Sequence, residues 1–122
     1  MNCPMRGRWK RLYRIDGYDI ELTRGDSLTL RIDLKGRNLP EGTEAVFTVK
    51  KRMRDERSVL VKRCDASEEI LTVALEAGET DIAPGTYVWD VRLRIPREDG
   101  SIEVVTPMEY AALTILGAVG TV

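Results

Sequence analysis

Histidine is absent from this 122-residue chain, and that absence settles much of its chemistry before any motif is weighed. Histidine is the usual general base near neutral pH and the commonest metal ligand. Without it, a serine or cysteine nucleophile lacks its ordinary activating partner. The serines are Ser27, Ser58, Ser67 and Ser101, and all fall in turn-like stretches or at strand starts. No glycine-rich cradle for a phosphate is present. Carboxylates are plentiful: Asp55, Glu56, Asp65, Glu68, Glu69, Glu76, Glu79 and Asp81. All sit in polar connecting segments, where solvation is the ordinary state. Glycoside hydrolysis needs two carboxylates facing across a cleft, one of them with a raised pKa, and nothing marks such a pair. Asp99-Gly100 lacks the repeated acidic spacing of a calcium loop. The expectation is a protein that is not an enzyme, with no catalytic residue, no cofactor and no metal ion.

The groups left for binding are cationic. The formal net charge is −1, yet Arg6, Arg8, Lys10, Arg11 and Arg14 fall in the first fourteen residues with no acid among them. A basic arm on a mildly acidic body is the expected arrangement. Trp9 and Tyr13 interleave these cations, so Arg6, Arg8, Trp9, Lys10, Arg11 and Tyr13 are the candidate partner-binding residues. Two uses fit them. The arm can dock on an acidic protein neighbour, or it can bind an anion such as nucleic acid or polysaccharide through phosphate pairing and stacking. No nucleic-acid recognition module accompanies the arm, so a protein partner is the first reading and the anion-binding module the alternative. Arg24-Gly25-Asp26 spells an adhesive tripeptide, but a turn between two strands accounts for Gly25 and Asp26.

These groups must be carried by elements, and the clearest element is Pro84 to Ile95. Pro-Gly opens it, and Tyr87, Trp89, Val91, Leu93 and Ile95 then alternate with Val88, Asp90, Arg92 and Arg94. A period of two sends successive side chains to opposite faces of a strand. Tyr87 and Trp89 therefore point to the core, and Tyr87 is placed to act as a tyrosine corner. Asp90, Arg92 and Arg94 share the outward face, a candidate subunit contact. Similar alternation marks Tyr18–Thr23, Ser27–Leu34, Glu44–Lys51 (with Phe47 a third core anchor) and Ile70–Leu75. Val59–Arg63, Ile102–Thr106 and Tyr110–Leu116 complete the set. Asp65–Glu69 reads as a turn, and Glu76–Ile82 as one helical turn plugged by Ile82. Asp-Gly at 99–100 marks a hairpin.

Seven or eight short strands separated by Gly, Pro or Asp argue for an all-β, antiparallel β-sandwich. The expected division is 1–17 as a basic arm or an edge strand completing a neighbour's sheet, 18–117 as the sandwich, and 118–122 as a tail. At 43% hydrophobic residues, with no run of the ~18 needed to span a bilayer, no membrane association is expected. The first fourteen residues hold no continuous apolar core of a signal peptide. A reducing cytoplasm is the expected folding compartment, so Cys3 and Cys64 are not expected to form a disulfide.

Three stretches, Ile20-Glu21-Leu22-Thr23-Arg24-Gly25-Asp26-Ser27-Leu28-Thr29-Leu30, Ala45-Val46-Phe47-Thr48-Val49-Lys50-Lys51 and Ala83-Pro84-Gly85-Thr86-Tyr87-Val88-Trp89-Asp90-Val91-Arg92-Leu93, share their order and wording with a known family. The chain resembles phage and prophage structural proteins, in particular the N-terminal domain of the baseplate upper protein of tailed phages of Gram-positive hosts. The resemblance covers residues ~18 to 116; the basic stretch before Tyr18 is not part of the family's pattern. It implies an immunoglobulin-like sandwich serving as a tail or baseplate part, with other tail or baseplate subunits, or further copies of itself, as partners. It also implies a location in the virion, and in the host cytoplasm during assembly.

Overall fold

Alternation of apolar and polar residues sets both the strands and the faces they bury. The computed structural model describes residues 13–16, 18–34, 39–67, 70–107 and 110–120, with the backbone alone at 13–16, 65 and 67. Among them are nine strands: β1 (Tyr13–Asp16), β2 (Asp19–Thr23), β3 (Leu28–Asp33), β4 (Glu44–Lys50), β5 (Leu60–Ser67), β6 (Ile70–Leu75), β7 (Gly85–Pro96), β8 (Ile102–Val105) and β9 (Ala111–Leu116). No helix forms among the described residues.

The larger sheet runs β1-β2-β9-β7-β4-β5, with β8 against the second half of β7, and the smaller runs β5-β6-β3. β2 and β9 pair in parallel, Ile20 opposite Leu113, and the other pairs are antiparallel. β5 belongs to both sheets: residues up to Cys64 pair with β4, and Asp65 to Ser67 pair with β6. The fold is an all-β sandwich, its core between the two sheets.

Between the sheets lie Leu28, Leu30, Ile32, Leu71, Val73 and Leu75 from one side, and Ala45, Phe47, Val49, Tyr87, Trp89, Val91 and Leu93 from the other. Phe47 and Trp89 are 0% and 2% exposed, with ring centroids 5.2 Å apart and tilted by 37°. Such a pair adds about 0.5–1.5 kcal/mol beyond its buried area. The Tyr87 hydroxyl donates to the Ala83 carbonyl at 2.5 Å, which makes it a tyrosine corner. In antibody domains the second cysteine of the inter-sheet disulfide stands two residues after this tyrosine. That position is Trp89 here, and an indole packed on Phe47 fills the centre of the sandwich.

Three sequence expectations change. Asp65-Ala66-Ser67 does not turn the chain: its backbone finds ladder partners in Thr72, Leu71 and Ile70, so β5 continues across the gap between sheets. Residues 13–16, expected in a free arm or on a neighbour's sheet, pair antiparallel with this chain's own β2, Tyr13 opposite Leu22. Glu76–Ile82 makes a turn, with the Glu79 and Thr80 amides donating to the Glu76 carbonyl. Thr80 is the residue most buried there, and half-buried Ile82 packs against the core beside it.

Candidate functional site

Two clusters of polar side chains stand out, and they differ in what they do. The first ties the Thr-Arg-Gly-Asp turn to the Glu76–Ile82 segment. The Asp26 amide donates to the Thr23 carbonyl at 3.0 Å, closing a turn whose third residue, Gly25, has a φ of +85°. Such a φ favours glycine. The buried Thr80 hydroxyl donates to the Asp26 carbonyl at 2.7 Å, and the Gly25 amide donates to the Thr80 carbonyl at 3.3 Å. Arg24 Nε meets Asp81 Oδ1 at 2.8 Å. The Arg-Gly-Asp tripeptide is thus a structural turn whose arginine is occupied.

Beside it, half-buried Lys62 and Glu79 meet at 2.6 Å, and the Glu76 amide donates to the same Glu79 oxygen at 2.9 Å. The hydrogen bond from Lys62 to Glu79 raises the lysine pKa. Burial opposes the charge on Glu79, but the Glu76 amide and Lys62 outweigh it and hold that carboxyl below its usual range. The loop acids Asp55, Glu79 and Asp81 therefore each hold a cation or a backbone amide. Asp99 accepts from the Ser101 hydroxyl at 2.6 Å and amide at 2.9 Å, contacts that lower its pKa. These are framework contacts. Among the described residues no group of three or more His, Cys, Asp or Glu side chains could hold a metal ion.

The second cluster is the outer face of the larger sheet. The register sets it out in four rungs. Val104, Arg94 and Glu44 form one; Arg92, Val46 and Arg63 the next; Asp90, Thr48 and Val61 the third; Ala112, Val88 and Lys50 the fourth. Arg63 and Arg94 both reach Glu44, at 3.1 and 3.8 Å. Asp90, Arg92 and Lys50 make no ion pair among the described residues. Large apolar side chains stand on or beside this face in water: Val61 is 57% exposed, Val104 54%, Ile102 49%, Met53 53% and Tyr110 58%. At the fourth rung a shallow, open depression is lined by Thr48, Lys50, Met53, Val88, Asp90 and Tyr110, with Trp89 beneath.

The sequence placed Asp90, Arg92 and Arg94 together on this face, and the fold does the same. It did not pick out Val61, Val104 or Ile102. Around Val61 the run Leu60-Val61-Lys62-Arg63 does not alternate, and Ile102–Val105 is only four residues long, so the sequence does not say which parity faces out; the pairing to β4 and β7 decides it. Phe47, Tyr87 and Trp89 lie in the core. Arg6, Arg8, Trp9, Lys10 and Arg11 lie outside the described residues, as does the side chain of Tyr13. Cys3 also lies outside them; Cys64 is half-buried, its thiol 3.4 Å from the Lys62 carbonyl.

Comparison with protein-family models, with curated proteins and with solved structures gave no match.

Proposed function

We propose that the chain is a non-enzymatic structural module of a phage or prophage tail or baseplate that works by holding protein subunits together. The observation that carries the reading is the outer face of the larger sheet. It is a broad surface of exposed valine and isoleucine among charged side chains, three of which (Lys50, Asp90 and Arg92) make no ion pair among the described residues, on a sandwich whose polar loop clusters are used internally. Mixed apolar and charged character of this kind suits protein contact. The family resemblance supplies the setting. The three stretches that carry it form the frame of the sandwich: β2 with its turn into β3, then β4, then β7. In that setting the protein is a virion part, assembled in the host cytoplasm, and its partners are other tail or baseplate subunits.

The test is size-exclusion chromatography with light scattering on the full chain, alone and mixed with the tail and baseplate proteins encoded beside it. A complex of fixed stoichiometry is the expected result. Retention on heparin or DNA that disappears at moderate salt, with no protein complex, would instead favour an anion-binding module working through Arg6, Arg8, Lys10 and Arg11.

A further inference from the structure

The outward residues of the larger sheet are arranged so that the face complements itself when turned end over end. Read along β4, they run Glu44, Val46, Thr48, Lys50: acidic, apolar, polar, basic. Read along β7, they run Val88, Asp90, Arg92, Arg94. The register aligns the two series rung for rung. A two-fold axis lying across the strands, midway between the Asp90 and Arg92 rungs, exchanges the rungs in pairs. It sets Asp90 against the partner copy's Arg92 and Lys50 against its Glu44, each contact made twice. It also brings Arg94 of one copy over the depression beside Val88 and Tyr110 of the other. That depression offers an aromatic ring and the Asp90 carboxylate to a guanidinium.

We infer that this face joins two copies of the chain in an isologous dimer, with the strands of one sheet antiparallel to those of the other. The inference rests on the reading of the protein as one that works by protein contact. Isologous interfaces need a self-complementary patch, and here Asp90, Arg92 and Lys50, which make no ion pair with another described residue of the same copy, all find opposite charge in the second. Val46, Val61 and Val104 supply apolar area around them. Two sheets packed face to face lie about 10 Å apart and within about 30° of parallel alignment, a separation that these side chains span. With strands ~4.8 Å apart and rungs ~6.8 Å apart, the footprint falls at the small end of specific interfaces. A small footprint with solvent-exposed charge pairs and few large apolar anchors suits weak self-association, in the micromolar range. The four rungs carry four cations against two acids (Lys50, Arg63, Arg92 and Arg94 against Asp90 and Glu44), with Asp19 and Glu21 of β2 on the same side of the sheet beyond them, so the reciprocal pairs set orientation while the apolar surface provides the attraction.

Sedimentation equilibrium on the full chain, from about 1 to 300 µM to span the micromolar regime, tests this. The wild-type chain is expected to dimerise in that range. Asp90→Arg and Arg92→Asp each place like charges across the axis and should weaken the dimer at least tenfold. The double variant Asp90→Arg/Arg92→Asp restores both reciprocal pairs and should recover most of the loss. Unchanged thermal melting keeps misfolding out of the comparison. A strictly monomeric wild-type chain, single variants that dimerise normally, or a double variant as weak as the singles would each overturn the inference. A monomer that still forms a complex with a tail subunit would refute this dimer while leaving the proposed function standing. A dimer that binds no such subunit would do the reverse.

Discussion

Gly85 shows how much one residue of the Pro-Gly-Thr-Tyr stretch determines. Its φ is +150°, and a Cβ there would come within 2.8 Å of the Lys51 ammonium. That ammonium lies 4.7 Å from the centre of the Tyr87 ring, so the missing side chain is what lets the cation sit over the tyrosine. Gly85→Ala should strain the backbone and displace Lys51, at a cost of about 1–2 kcal/mol, read by chemical denaturation. Tyr87→Phe removes only the hydroxyl that closes the corner onto Ala83, and about 1 kcal/mol is expected from the same measurement. Trp89 behaves differently. Its Nε1 is buried without an acceptor among the described residues, a cost of about 1–3 kcal/mol that burial of the indole must offset. Trp89→Phe discards the unpaired donor along with one ring and should destabilise by less than the ~3–5 kcal/mol of Phe47→Ala.

At the scale of elements, the tie between β5 and the Glu76–Ile82 turn is the feature that responds to pH. Glu79 titrates lower in the folded protein than in the unfolded chain, because the Glu76 amide and Lys62 favour its charge against the cost of burial. Its contribution is present above the ordinary carboxylate pKa and is lost as the pH falls through the lowered folded value. Lys62 titrates higher when folded, so its contribution is present below the ordinary lysine pKa and is lost as the pH rises through the raised one. Between those limits the tie is intact. Glu79→Gln should cost about 1 kcal/mol at pH 7, and the gap to wild type should close in acid; thermal melting from pH 7 down to pH 3 measures it. A gap that persisted at pH 3 would mean that packing, not charge, holds the turn.

The elements themselves were legible to different depths. β7 could be read almost residue by residue, because five inward apolar residues alternate with a charged outer row, a pattern no helix shares. β2, β3, β4 and β6 followed for the same reason. The sequence marks β5 only as far as Arg63, because Asp65, Ala66 and Ser67 have the composition of a turn. Their strand conformation comes from pairing with β6, a non-local contact that local composition does not record. The segment capped by Thr80 is legible as a turn and Ile82 does pack against the core, but the more deeply buried Thr80 is not legible. A threonine with two backbone carbonyls within reach, Asp26 at 2.7 Å and Ala77 at 3.2 Å, can be buried as readily as an isoleucine, and that satisfaction depends on a residue 54 positions away. The candidate contact face was half visible: its charged row lies on one strand, while its apolar members come from β5 and β8 and join it only through register.

At the scale of the whole molecule, the protein divides its polar groups by location. Those at the loop end are spent internally, as Arg24–Asp81 and Lys62–Glu79. Those in the middle of the outer face, Lys50, Asp90 and Arg92, make no ion pair among the described residues. No helix among the described residues is long and apolar enough to cross a membrane. If protein contact through the outer face is the function proposed here, Val61→Asp should leave the melting temperature nearly unchanged, since the side chain already stands in water. The same variant should weaken assembly with tail or baseplate subunits at least tenfold. A variant at Thr29, on the outward side of the smaller sheet, is the control and should assemble as wild type.

Hydrogen–deuterium exchange on the full chain, at a concentration below the range in which it self-associates, with and without the tail and baseplate subunits encoded beside it, tests that claim most directly. The expected result is added protection in the peptides covering residues 44–50, 60–64, 88–94 and 102–105, with the smaller sheet unchanged. Protection confined to the smaller sheet, or none anywhere while the first fourteen residues alone become protected by DNA, would contradict it.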